Sequence, residues 1–267
     1  MTVIAVANQK GGVAKTTTCI NLAASLAIVG KLVLLIDMDP QGHASNGLGV
    51  QPASDGLSIA ELMLEQCELR EVLRPTTQAG LSIIPAGQTL SSFEVSPPAG
   101  TETRLLLKRV VDRCARGYDF VILDPPPSLS ALAFSCLVAA DYLIIPVQAE
   151  YFALAGLVRM IQLVEAIREE HNPRLKLLGV LITMHDRRTR LALEVEDELK
   201  ENFQGPVFRT VIPRSVRVAE APSFGLPVAQ YAPGSPVAMA YLSLASEVIA
   251  AVAAQDAGQG RAAPAAS

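Results

Sequence analysis

Residues 8–18, NQKGGVAKTTT, bring two lysines, two adjacent glycines and three threonines into eleven positions. Residues of these types in this order suit phosphate. Backbone N–H groups from Gly11 through Thr17 can turn inward at the start of a helix and form an anion cradle. Gly11 and Gly12 let the backbone approach a phosphate that a Cβ would hold away. Lys15 would reach the β- and γ-phosphates of a nucleotide, and the Thr16 hydroxyl would ligand Mg2+. The spacing departs from G-x-x-x-x-G-K-[ST], which places glycines where this chain has Gln9 and Ala14. Ala14 directly precedes the helix, where ordinary helical dihedrals are expected to accept its methyl group. By itself the stretch also fits a glycine-rich turn carrying a solvated lysine.

Two further stretches favour the phosphate reading. LLIDMDPQG (34–42) and FVILDPPPS (120–128) each end an apolar run in carboxylates. In an open α/β sheet the C-terminal ends of the strands converge on the crevice where ligands bind. Asp37, Asp39 and Asp124 placed there would repel one another unless a cation sat among them, and Mg2+ with a nucleotide triphosphate removes that conflict. A lone strand-end aspartate is often only a helix cap. Three of them beside a Lys-Thr loop make a constellation.

The elements that must position these groups alternate along the chain. Apolar runs at 3–7, 32–36, 81–84, 120–123, 142–147, 177–183 and 207–212 read as strands, most of them apolar on both faces, as a covered parallel sheet requires. Segments 16–29, 102–116, 129–139, 153–170, 189–202 and 236–254 read as helices, the first stopped by Gly30. This pattern predicts an α/β fold: a doubly wound, mostly parallel sheet with helices on both faces. Residues 1–254 are expected to form one domain and 255–267 a disordered tail, with surface loops at 42–57 and 96–100.

Composition narrows the classes. Half of the 267 residues are apolar, 18% are charged, and the net charge is −4, so nucleic-acid binding would need a local basic patch. Cys19, Cys67, Cys114 and Cys136 form no C-x-x-C pair and read as reduced apolar residues, which suits a cytosolic protein. His43, His171 and His185 show no ligand spacing and read as surface or loop residues. The N-terminus has no basic start or cleavage site of a signal peptide, so a cytoplasmic location is expected.

The run K-G-G-V-A-K-T-T, with D-M-D-P-Q, D-P-P-P, PVQAEYFAL (146–154) and VIPRSVRVAEAPSFGLPV (211–228), resembles the ParA/Soj chromosome- and plasmid-partition ATPases over residues 2–250. That family carries a deviant Walker A motif whose extra signature lysine matches Lys10, so Gln9 is no defect. Ala14 departs from the family's usual glycine. The resemblance implies an ATP hydrolase, slow without its partner, in which Lys10 crosses a dimer interface to the other protomer's phosphates. It implies that Gly11, Gly12, Val13, Ala14, Lys15, Thr16 and Thr17 hold ATP, that Asp39 orients or deprotonates the attacking water, and that Thr16, Asp39 and Asp124 hold Mg2+, partly through water. Asp37 would support the metal's hydration shell. Glu150 matches a residue near the nucleotide at the dimer interface, and the loop at Pro213 one that lies against the adenine.

Arg187, Arg188, Arg190, Arg214 and Arg217 gather in HDRRTR (185–190) and IPRSVR (212–217). Charge alone leaves solvated loop arginines and a DNA contact equally open. The resemblance carries Arg188 and Arg217 over as non-specific contacts to double-stranded DNA, made to phosphate and therefore without sequence preference. It also implies an ATP-dependent homodimer, a ParB-like centromere-binding partner and a nucleoid-associated location. The chain begins at the first strand, so no N-terminal DNA-reading domain is expected. A MinD-like membrane-positioning ATPase would need a basic amphipathic C-terminal helix, and only Arg261 is found there. An iron–sulfur reductase would need paired cluster cysteines. A related ATPase that positions protein cargo remains an alternative.

Overall fold

The computed structural model describes residues 1–51, 56–95, 103–114, 117–127, 130–150 and 153–260. Seven strands form one sheet: β1 (Thr2–Val6), β2 (Val33–Asp37), β3 (Arg74–Pro75), β4 (Leu81–Ile84), β5 (Phe120–Asp124), β6 (Tyr142–Gln148) and β7 (Lys176–Thr183). Their order is β3-β4-β2-β5-β1-β6-β7, and every pairing is parallel except β3 with β4. The expected doubly wound fold is present.

Successive residues of a strand face opposite sides, and both sides here are covered. Val3, Ala5, Leu34, Ile36, Val121 and Leu123 pack with residues of the helices Thr103–Cys114, Ala131–Ala139 and Ala153–Glu170. Ile4, Val6, Val33, Leu35 and Ile122 pack instead with residues of α1 (Lys15–Ile28) and of the last helix, Pro236–Gly260. This is why β2 and β5 are buried at all five positions. Replacing a core leucine such as Leu35 by alanine in so closed a layer costs ~2–5 kcal/mol.

The strand ends that matter are fixed by this arrangement. The chain leaves β1 through α1 on one face and leaves the neighbouring β5 through Ala131–Ala139 on the other. Connections that diverge from adjacent strands open a crevice at their C-terminal ends. In β2 and β5 the register sets Asp37 beside Asp124 there. After α1, Gly30 at φ 86° turns the chain back toward β2.

Four expectations need correction. Residues 207–212 are no strand: Phe208 and Ile212 bond to β7 singly, while the N–H groups of Arg209 and Thr210 donate to the Glu247 carboxylate (2.7 and 3.0 Å) instead of a ladder. The short antiparallel β3 was not anticipated, because two residues carry no periodic signal. The stretch 42–57 contains a short helix, α2 (His43–Gly47); positions 52–55 of it, and all of 96–100, lie outside the described residues. The last helix runs to Gly260, six residues into the expected tail, where Gln, Ala and Asp continue the helix; 261–267 are outside the described residues.

Candidate nucleotide site

Between β1 and α1 the loop Ala7–Ala14 is held from the sheet by two buried polar side chains. Asn8, two residues past β1, donates from Nδ2 to the Pro146 carbonyl of β6 (2.8 Å), and its Oδ1 accepts the Lys10 N–H (3.0 Å). Thr183, the last residue of β7, donates its hydroxyl to the Val13 carbonyl (3.1 Å) and is itself fully buried. Sequence reasoning missed both, although each is a polar residue ending an apolar run.

The glycines leave room. A Cβ placed on Gly11 or on Gly12, the latter at φ 73°, would meet nothing within 4 Å, so the space before the loop is open to a phosphate. Ala14 overturns its expected geometry: it lies at φ 65°, ψ 35°, in the left-handed region, with no side-chain cap on the helix it starts. An L-residue with a Cβ holds that conformation at a cost of about 1–2 kcal/mol. The glycine of the ordinary motif is therefore a conformational requirement here, and alanine meets it under strain.

Lys15, at the first position of α1, is 7% exposed, and its Nζ is 3.2 Å from the Lys10 carbonyl. Burial lowers its pKa, and Asp124, Cys19 and Asp39 offset this only in part. A buried ammonium without a full counter-charge favours an arriving anion. Lys10 sits outside, half-exposed, with its Nζ 2.5 Å from Glu150 Oε2, so two residues expected near the nucleotide meet each other.

The carboxylates divide the labour unequally. Asp37 is satisfied: Oδ2 accepts the Ser45 N–H (2.8 Å) and hydroxyl (2.6 Å) of α2, and Oδ1 accepts the Asp39 N–H (3.2 Å). Burial nonetheless raises its pKa to about 6. Asp39 is 5% exposed, accepts the Gln41 N–H at Oδ1 (3.0 Å), and has its Oδ2 3.9 Å from His43 Nδ1. Asp124 is fully buried beside the Thr16 hydroxyl and the Cys19 thiol, and neither of its oxygens receives a hydrogen bond of normal geometry; the thiol is aimed at the Leu123 carbonyl. Burial and then Asp37 push its pKa well up.

Two orphaned carboxylate oxygens at the mouth of a phosphate loop are a reason for a cation. Among the described residues no three His, Cys, Asp or Glu side chains are set to hold a metal by themselves. Mg2+ does not need that: it keeps several waters and takes one or two carboxylates plus substrate phosphate. The residues present fit it.

Beside the loop, a cavity of 370 Å3 is lined by Ala14, Thr17, Met184, Ile212, Pro213 and Tyr241, among others. Pro213 thus shares a largely apolar cavity with Ala14 of the loop and Thr17 of α1. The arginine segments adjoin a second cavity, of 780 Å3, with Arg187, Arg188 and Arg214 on its wall. Each of the two arginines expected at DNA is paired locally. Arg188 forks onto Asp186 (2.8 and 2.6 Å) and holds that carboxyl well below the usual range, and Arg217 meets Glu220 (3.1 Å). His185 is not a surface residue: it is 3% exposed, with Nε2 2.9 Å from Glu196 Oε2. Cys19, Cys114 and Cys136 are buried, and Cys67 is half-buried.

Comparison with known proteins gives the chain's relatives. Residues 1–177 match the AAA domain family. The chromosome-partitioning ATPase Soj of Thermus thermophilus is 51% identical over 93% of this chain and 96% of its own length. The sporulation initiation inhibitor protein Soj of Bacillus subtilis is 43% identical over 93% and 98%. The crystal structure of cobyrinic acid a,c-diamide synthase from Mycobacterium smegmatis, with bound ATP analog and magnesium, superposes with a TM-score of 0.78 at 35% identity, covering 92% and 93% of the two chains.

Proposed function

The chain belongs to the Soj/ParA partitioning ATPases of the AAA domain family, and from that membership we propose that it hydrolyses Mg-ATP, dimerises around it and binds DNA non-specifically as the ATP dimer. The observation that carries the reading is the convergence at one end of the sheet: the open glycine loop, the buried Lys15 and the unpartnered Asp124 oxygens.

In this reading the N–H groups of Gly11 to Thr17 and the Lys15 ammonium hold the phosphates, and Val13 and Ala14 shape the loop. The cavity wall at Pro213 takes the base. Mg2+ neutralises phosphate charge when bound; the Thr16 hydroxyl and, partly through water, Asp39 and Asp124 hold it. Asp37, already clamped by Ser45, fixes the backbone that carries Asp39 and serves the metal only indirectly. Asp39 orients the attacking water. Positioning and charge neutralisation do most of the work in phosphoryl transfer, so turnover without a partner is slow.

Lys10 then acts on the other protomer's phosphates, which requires it to leave Glu150. That exposed pair is worth at most ~1 kcal/mol, so it does not prevent the exchange. Arg188 and Arg217 meet DNA phosphate, a ParB-like protein stimulates hydrolysis, and the dimer returns to the cytoplasm on release from the nucleoid. Pro236–Ala257 is long and apolar enough to cross a membrane, with a mean hydropathy of 1.8. Its Tyr241, Leu244, Ala245 and Val248 are fully buried in the layer shared with α1, which supports a core role and no membrane.

The two lysines provide the test. Lys15→Ala should lose ATP binding altogether, whereas Lys10→Ala should bind nucleotide and remain monomeric in size-exclusion chromatography with Mg-ATP. A Lys10→Ala protein that dimerises like the wild type would sink the shared-site reading.

A further inference from the structure

We propose that Thr183 is a positioning residue for the phosphate loop, and that its bond to the Val13 carbonyl is what keeps Ala14 in the left-handed conformation. The inference rests on the nucleotide reading above and concerns how this chain tolerates an alanine there.

The argument is geometric. The dihedral φ of Ala14 is the rotation of the Val13–Ala14 peptide plane about the Ala14 N–Cα bond. One side of that bond is fixed, because Ala14 leads directly into α1 and its carbonyl accepts the Thr18 N–H (2.9 Å). The other side is the peptide plane itself, whose oxygen is tied to the Thr183 hydroxyl at 3.1 Å. With both sides fixed, φ 65° is set by the sheet and the helix, whatever residue occupies position 14.

The same bond aims a donor. In a trans peptide the C=O and N–H point in opposite directions. Anchoring the Val13 oxygen toward β7 therefore turns the Ala14 N–H away from it, as a phosphate-binding loop requires. If the plane rotated to relieve the alanine, that N–H would swing away.

Thr183 is well placed for the task. It is fully buried at the end of β7, on the edge-side neighbour of β6, and ties a loop 170 residues earlier in the chain. The Asn8 contact fixes the other limb of the loop at Lys10, so the span from Gly11 to Val13 hangs between two anchors. Glycine at position 14 would need the second anchor less, because αL is free to it. The two positions should therefore be energetically coupled.

The experiment is a double-mutant cycle read by calorimetric titration of Mg-ADP, with thermal melts as a check on folding. Thr183→Val should weaken Mg-ADP about 10-fold in the natural background, the scale of one buried hydrogen bond. Combined with Ala14→Gly it should cost only about 2-fold relative to Ala14→Gly alone, and Thr183→Ser should restore most of the affinity. Equal losses in both backgrounds, or no loss, would overturn the proposal. Should Thr183→Val fail to fold, Ala14→Gly in the same chain should recover a cooperative melt, and a double variant no better than the single one would overturn it too. A wild-type protein that does not bind Mg-ADP would instead remove the nucleotide reading itself, and this inference with it.

Discussion

Around the phosphate loop, Lys15, Asp37, Asp39 and Asp124 are buried and the backbone is tied to two strands, whereas Arg188 on the neighbouring face stands 89% exposed with a local carboxylate for company. In the first region burial makes charge expensive, so each unmet group there specifies a ligand. In the second, solvent meets every group, and the ion pairs of Arg188 and Arg217 are weak, exchangeable and uninformative about a ligand. On the proposed reading, a single chain thus marks its nucleotide site by buried, unmet groups and carries no such mark of a DNA surface. In that reading the second region needs multiplicity, which the proposed dimer would supply.

The sharpest way to separate the two regions is to break one function and watch the other. Asp39→Ala removes the water-orienting carboxylate and leaves the phosphate cradle, so hydrolysis should fall by ~10²–10⁴ while ATP binding persists. The variant should accumulate as an ATP dimer retained on DNA, measured by phosphate release beside an electrophoretic shift. Normal turnover would move the base to another group.

A smaller effect tests the arginine face. Four phosphate contacts per dimer, two each from Arg188 and Arg217, should cost roughly 10²-fold in affinity between 50 and 200 mM salt. Arg217→Glu should lower the slope of log affinity against log salt by about 1.8 and abolish random-duplex binding at the higher salt. Dimerisation with ATP should be unchanged. Undiminished binding by Arg188→Glu/Arg217→Glu would place the DNA elsewhere.

The smallest effect belongs to the loop. Ala14→Gly relieves a left-handed alanine, partly offset by the greater freedom of glycine in the unfolded chain. The net gain should be about 1 kcal/mol or less, visible as a rise of ~2 °C in the melting temperature. A fall would mean that the methyl group packs usefully against the cavity beside Pro213.

Legibility followed local signal. Six of the seven strands and all six longer helices were readable from apolar runs and periodicity, because burial on both faces of a parallel sheet forces continuous apolar sequence. That Lys15, Asp39 and Asp124 would lie near one another was readable because the fold sends strand ends to one crevice. Asn8, Ser45 and Thr183 could not, since their partners lie 138, 8 and 170 residues away and a hydrogen bond leaves no pattern along the chain. Ala14 was misjudged for a related reason: a residue before a helix reads as helical until the peptide plane preceding it is known. The 207–212 run was misread because its β-branched and aromatic residues suit a strand, while Glu247, on a helix far along the chain, takes the N–H groups of Arg209 and Thr210.

The two borders of the sheet carry a consequence for solubility. An open row of unpaired N–H and C=O groups would invite strands of neighbouring molecules to add on. On one side the row is closed by β3, only two residues long, antiparallel, and ending in Pro75, which has no N–H to offer. On the other, residues 206–213 lie along β7 with isolated bridges at Val207 and Pro213, and Glu247 occupies donors that would otherwise face outward. If the proposed ATP dimer gathers on DNA, its contacts must end when its nucleotide is spent. Blunt borders leave strand-to-strand growth, which would not end, without a starting place.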